Sequence, residues 1–316
     1  MKKILITHPI HPETVAELEL PSQETYLYAP AIGANQIPDE ANDPTLEQLC
    51  ELLQDFQPDV LIVGSNAVPK KAITTWRQSV DNSQPLLIIR RGVDTRAIDV
   101  KTAQEYQISV TNLPGINSPY VAQHMLRYLQ LQNAKPQSKI AIIGTGNIGK
   151  NIAISAIASN LDVHLLSPSL QDQHKRYSTL NARGINPHQV NCAQSITEVM
   201  LGATYVAIAI PWLNQQGIPN ANIINLEHIN HLSTNARIAS ASVPGIFSPQ
   251  ALNLLERLMA QQQIYLRIDT AKRRAIEATA NYPHLDIAHN QAFAAPECQR
   301  ALDQAMLAKA RSFIFD

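Results

Sequence analysis

Cysteine is scarce in this chain of 316 residues. The three present, Cys50, Cys192 and Cys298, stand far apart. With no CxxC pair and no Cys/His ligand spacing, the pattern gives no disulfide framework and no metal site, and it fits a reducing compartment. An excess of charge is also missing, with Lys+Arg 25 against Asp+Glu 26. A balanced chain exerts no long-range pull on nucleic acid or on an anionic membrane, so neither partner is expected. The short basic clusters at 90–91, 174–176 and 272–274 read first as solvated surface. No apolar run approaches the roughly 18 residues a membrane helix needs. The apolar start before His8 and Pro9 is too short for a signal peptide and reads as a strand. A soluble cytoplasmic protein is the expectation. There is no internal repeat and no low-complexity tract.

What is present is length and apolar content. The chain is too long for one ordinary core and suits two domains, and hydrophobic residues make up 45%. Short apolar, β-branched runs at 3–7, 60–63, 86–89 and 108–111 read as buried parallel strands. Helical periodicity lies between them at 45–53, 70–76 and 98–106. A good helix follows at 118–131, with Ser118 and Pro119 at its start. After a short polar linker a second α/β series begins at Lys139. Its strands are predicted at 140–143, 163–166, 205–210, 237–241 and 265–268. Residues 296–313 read as a closing helix. Alternation of this kind specifies parallel α/β sheets.

The strongest motif is Gly144-Thr-Gly-Asn-Ile-Gly149, placed directly after a strand and opening a helix. Gly144 permits the tight turn, Gly146 lets backbone approach a pyrophosphate, and Gly149 lets the helix pack on the strand. Asn147 and Ile148 supply free amides at the helix start. Alone, GxGxxG is weak; in a strand–turn–helix setting it is a strong signal of dinucleotide binding, against the plainer reading of a glycine-rich turn with no ligand. A dinucleotide site of this type carries an acidic residue at the end of the next strand, on the ribose diol. Ser167 stands there instead, with Lys175 and Arg176 downstream. This leans toward NADP over NAD and leaves both open.

With those residues in hand, the chain resembles the D-isomer-specific 2-hydroxyacid dehydrogenases, near their phosphoglycerate dehydrogenase branch. Arg91-Gly-Val-Asp-Thr-Arg-Ala-Ile-Asp99 resembles the family's glycine-rich segment. Asn112-Leu-Pro-Gly-Ile-Asn-Ser-Pro-Tyr-Val-Ala-Gln123 resembles its NxPGxNSxxVAE, with Gln123 in place of Glu. The 203–211 segment resembles the strand whose terminal proline, here Pro211, lies beside the cofactor. The resemblance implies two doubly wound parallel-sheet domains. A flavodoxin-like substrate domain (1–112 plus 291–316) would hold an inserted Rossmann cofactor domain (113–290), with an active cleft between them.

It also implies hydride transfer between a nicotinamide and a 2-hydroxy or 2-oxo acid. An Arg binds the carboxylate, and a His paired with a Glu moves the hydroxyl proton. At those positions this chain has Val243, Asn290 and Arg274. A slip of one residue would make His289 the match for the His. Asp269, which the family places near the nicotinamide amide, is retained. Candidate catalytic groups are therefore Asn290, His289 and Arg274. Candidate cofactor groups are Gly144, Gly146, Asn147, Ile148, Gly149, Ser167, Pro211 and Asp269. Ser65, Asn66, Arg90 and Arg91 follow predicted strands, where α/β ligands gather, and are candidate substrate groups. His8 and His11 are weaker candidates for the cleft mouth, and His124 reads as packing. The arm that makes the family's dimer is short here, so the oligomeric state stays open. The expected function is an NAD(P)-dependent oxidoreductase with altered catalytic groups and a small anionic substrate. The alternative is a cofactor-binding pseudoenzyme with a regulatory or structural role.

Overall fold

A computed structural model describes residues 2–19, 23–30, 32, 44–64, 66–93, 95–214, 216–270 and 279–315. Ser65 and Arg274 lie outside the described residues. The chain forms two compact units: Met1–Asn117 with Pro296–Asp316, and Ser118–Ala295.

The first unit is built on five parallel strands: β1 (Lys2–Ile6), β2 (Glu24–Tyr28), β3 (Val60–Val63), β4 (Leu86–Arg90) and β5 (Ile108–Asn112). Their order is β2-β1-β3-β4-β5, the flavodoxin-like arrangement. Successive residues of each inner strand enter two different cores. Leu5, Leu61, Val63, Leu86 and Ile88 face one, with Trp76. Ile4, Ile6, Val60, Ile62, Leu87 and Ile89 face the other, with Met306, Leu307 and Ala310 of the closing helix Pro296–Phe315. Burial on both faces is why these strands read as unbroken apolar runs. Strand β2, ETYLY, is half-buried at every position. It lies at the sheet edge and carries no such run, so its apolar signal is diluted.

The second unit has seven parallel strands: β6 (Lys139–Ile143), β7 (Asp162–Leu166), β8 (Val190–Cys192), β9 (Tyr205–Ile208), β10 (Arg237–Ser240), β11 (Tyr265–Thr270) and β12 (Asp286–His289). The order is β12-β11-β10-β9-β6-β7-β8. Strand β6 lies inside the sheet, between β9 and β7. The chain runs outward from it through β7 to β8, then returns to β9 and proceeds the other way. That reversal places a switch point between β6 and β9, where ligands of doubly wound sheets bind at the strand carboxyl ends. Alternate residues again divide between two cores: Ile143, Val206, Ile208 and Ile238 on one face, and Ile140, Ile142, Val163, Leu165 and Ala207 on the other.

Candidate functional site

Gly144 follows the last residue of β6, and its amide continues the ladder by donating to Leu166 O at 2.8 Å. Gly144 has φ +94°, and a Cβ there would lie 2.5 Å from Ala209 O. Both facts require glycine. Gly149 is constrained differently: its Cβ would stand 1.8 Å from Gly144 O, so the helix rests directly on the turn. Around Gly146 there is nothing within 4 Å of a Cβ. That open space lies at the N-terminus of the 12-residue helix Asn147–Ala158, which no side chain caps. Asn147 and Ile148 begin the helix, so their amides have no intrahelical carbonyl. A tight turn, open space and uncapped amides fit the pyrophosphate of a dinucleotide. The residues present therefore suit that cofactor.

At the end of β7, Ser167 is 8% exposed, and its Oγ lies 3.0 Å from Ser169 Oγ. Arg183, just past the helix Gln173–Ala182, donates from Nη2 to Ser169 Oγ at 2.9 Å and from Nη1 to Thr145 Oγ1. Sequence reasoning looked to Lys175 and Arg176 for this cation. Lys175 is solvent-exposed, 3.7 Å from Asp172, and Arg176 donates from Nε to Leu170 O. Arg183 sits 14 residues beyond Ser169, and only the return of the intervening helix brings it back, so no local signal marked it.

Other candidates in this unit differ in what holds them. Val243 is 8% exposed within the apolar core and begins the short turn Pro244–Ile246. The Ser242 hydroxyl beside it is buried with no partner among the described residues. Pro211 O accepts from Asn220 Nδ2 at 2.8 Å. Asp269 accepts from the amides of Gln291 and Ala292, both at 2.8 Å. Its carboxylate is thus engaged as the cap of the helix Gln291–Ala294. Asn290 has φ +54° at that helix start, makes no side-chain cap bond, and donates its amide to Thr270 O at 3.0 Å. His289 is exposed at the end of β12. His124 is half-buried, with Nε2 unpartnered among the described residues; burial lowers its pKa, opposed by the charge of Asp269.

In the first unit, Asn66 is 5% exposed. Its Oδ1 accepts from Thr7 Oγ1 at 3.4 Å, while Nδ2 has no partner among the described residues. Arg90 ends β4, with its guanidinium beside Gly92. Arg91 is 2% exposed. It binds Asp303 Oδ1 at 3.0 Å and Gln299 Oε1 at 2.6 Å, and donates to His8 Nε2. Its charge is met within the fold. Burial first, then the charges of Arg91 and Arg90, push the His8 pKa down to about 3. His11 caps the helix Pro12–Leu18 by accepting from the Glu13 amide.

An open surface hollow of about 570 Å³ is lined by Asn225, Glu227, His231 and Ser248 among others; it shares no residue with the phosphate turn. Among the described residues no group of three His, Cys, Asp or Glu could hold a metal, and no helix is long and apolar enough to cross a membrane.

The fold and turn define a two-unit α/β protein of the nicotinamide-dinucleotide-binding type. Comparison with known proteins assigns the family: residues 4–314 match D-isomer specific 2-hydroxyacid dehydrogenase, catalytic domain, and the chain belongs to that family. It is similar to D-3-phosphoglycerate dehydrogenase of Bacillus subtilis, 22% identical over 52% of this chain but only 33% of that protein. The chain thus spans about a third of this curated relative's length. Among solved structures it resembles a D-isomer specific 2-hydroxyacid dehydrogenase, NAD-binding, from a Polaromonas species (TM-score 0.68, 14% identity, 99% of this chain and 97% of the other). It also resembles NAD+-bound 3-phosphoglycerate dehydrogenase of Entamoeba histolytica (TM-score 0.61, 16% identity, 100% and 96%). At those identities the likeness is one of fold.

Proposed function

We propose that this chain binds a nicotinamide dinucleotide at the 144–149 turn and acts as an NAD(P)-dependent oxidoreductase on a small anionic substrate, of 2-oxo or 2-hydroxy acid type. The observation that carries the binding is the turn itself, where Gly144 at φ +94° and the unfilled space at Gly146 leave the helix amides facing open solvent. Bound there, the cofactor supplies or accepts hydride. The chain's own residues do the rest. Backbone amides of residues 146–149 hold diphosphate charge at the positive end of the helix. Ser167, in place of a carboxylate, does not repel a 2′-phosphate, which favours NADP. Asn66, with a side-chain N–H buried and without a partner among the described residues, offers a hydrogen bond to an anionic substrate, and Arg90 adds positive charge. A carbonyl that accepts hydride needs a proton as well. The side-chain carboxamide of Asn290 is neither an acid nor a base near neutral pH, so His289 is the candidate donor.

A second reading, a cofactor-binding protein without turnover, is favoured by a specific set of observations. Val243, which the sequence resemblance aligns with the family's substrate-binding Arg, is sealed in the core; Asn290 aligns with its His in the same reading, and Asp269 is engaged as a helix cap. Titration with NADH and NADPH, followed by a screen of 2-oxo acids, separates the readings. Binding with turnover on any acid eliminates the inactive protein. Binding without turnover, converted to 2-oxo acid reduction by Asn290→His with Val243→Arg, eliminates the native enzyme. No association at millimolar concentrations defeats both.

A further inference from the structure

We infer that Arg183, with the hydroxyls of Ser167 and Ser169, is a seat for the 2′-phosphate of NADP(H) and is the residue that discriminates between the two dinucleotides. The inference rests on the dinucleotide reading above and extends it to one side chain.

The argument begins with what Arg183 joins. One of its nitrogens reaches Thr145, between the first two glycines of the phosphate turn; the other reaches Ser169, past the end of β7. In a doubly wound nucleotide domain these are the two walls flanking the adenosine ribose. The guanidinium therefore spans the place where a ribose 2′-substituent would lie. Its partners there are neutral hydroxyls. Among the described residues no carboxylate pairs with it, and burial alone acts on its ionisation. Arg91 offers the contrast, its cation being met by the buried Asp303.

The chemistry of the cluster is that of a phosphate monoester site. Arginine presents a planar fork of donors suited to two phosphate oxygens, and each hydroxyl can rotate to donate to a third. An unphosphorylated ribose diol gains less from this set, because it needs an acceptor of the carboxylate kind. The thread Ser167 Oγ–Ser169 Oγ–Arg183, at 3.0 and 2.9 Å, already gathers the groups before any ligand arrives.

The test is calorimetric titration of the full chain and its variants with NADPH, NADH and adenosine 2′,5′-bisphosphate. In the native chain NADPH is expected to bind about tenfold or more tighter than NADH, the worth of one charge-assisted hydrogen bond. Arg183→Met is expected to remove that advantage and to weaken the bisphosphate equally, leaving NADH within about twofold. Ser167→Asp is expected to reverse the preference without touching Arg183. Should Arg183→Met unfold the unit, seen as a lost melting transition, Ser167→Asp and Arg183→Lys carry the test; the lysine keeps charge but not the fork, and an intermediate preference is expected. Parallel loss of both nucleotides in a folded Arg183→Met, or an unchanged NADPH affinity, overturns the assignment. A native chain that binds NADH as well as or better than NADPH overturns it too, while sparing the dinucleotide reading. A native chain that binds neither sinks that reading itself.

Discussion

The imidazole of His8 occupies the space a side chain on residue 64 would need: a Cβ on Gly64 would lie 2.0 Å from His8 Nδ1. The ring's other nitrogen accepts from Arg91, which fixes the neutral form. Its free-state pKa near 6.5 drops to about 3 in the fold, through burial and then the charges of Arg91 and Arg90.

That shift sets a sign. Between pH 6.5 and 3 the unfolded chain binds a proton at His8 that the folded chain does not. Stability from this group is therefore complete above pH 6.5 and is lost as pH falls toward 3, at no more than about 1.4 kcal/mol per pH unit. Ring chemical shifts in a pH titration are expected to keep His8 neutral at pH 5. A midpoint near 6.5 contradicts the packing described.

The Arg91–Asp303 pair is buried on both sides. Removing the Asp303 carboxylate takes a buried counter-charge from Arg91, and Asp303→Ala is expected to cost about 3–5 kcal/mol. Replacing both, as Arg91→Met with Asp303→Leu, should recover most of that. Thermal melting of the three proteins checks it; equal losses in single and double variants would show that the charges are not coupled.

Two glycines of the turn should respond in opposite ways. Gly149→Ala drives a methyl into Gly144 O, with a stability loss of about 1–3 kcal/mol or more from overpacking. Gly146→Ala meets nothing in the protein and should leave the melting temperature nearly unchanged. Its methyl instead enters the space given to the diphosphate, and dinucleotide affinity is expected to fall about tenfold or more. Melting and titration on both variants test this, and a Gly146→Ala protein with native affinity refutes the position of the phosphates.

Asp269→Ala removes two bonds to backbone amides and should destabilise by about 0.5–2 kcal/mol, as for other helix caps. Hydrogen exchange at Gln291 and Ala292 is the sensitive measurement. Unaltered protection at both amides would mean the cap contributes nothing.

How much was legible in the sequence follows from these residues. Strands β3, β4 and β6 were readable because both faces are buried, which leaves a continuous apolar run. Edge strands β2 and β8 were not, since half-buried positions mix polar with apolar residues. The phosphate turn was readable because backbone geometry demands glycine at fixed spacing. The arginine beside Ser167 was not, because its position depends on a helix that turns back. The sequence also carried no sign that Arg91 would be neutralised by a residue 212 positions away or that Asp269 would cap the next helix.

The insertion of one unit into the other has a consequence for the order of assembly. Asp303, which receives both Arg91 and the amide of His11, lies 292 residues after His11. Until the 296–315 helix docks, the first unit's sheet would have to enclose a cation without its counter-charge, at a cost of several kcal/mol. Loop closure over such a span grows only logarithmically with length, and prior folding of the inserted unit shortens the effective tether. The sheet that starts with β1 is thus completed only when the 296–315 helix docks, after the whole of the 118–295 segment has been made.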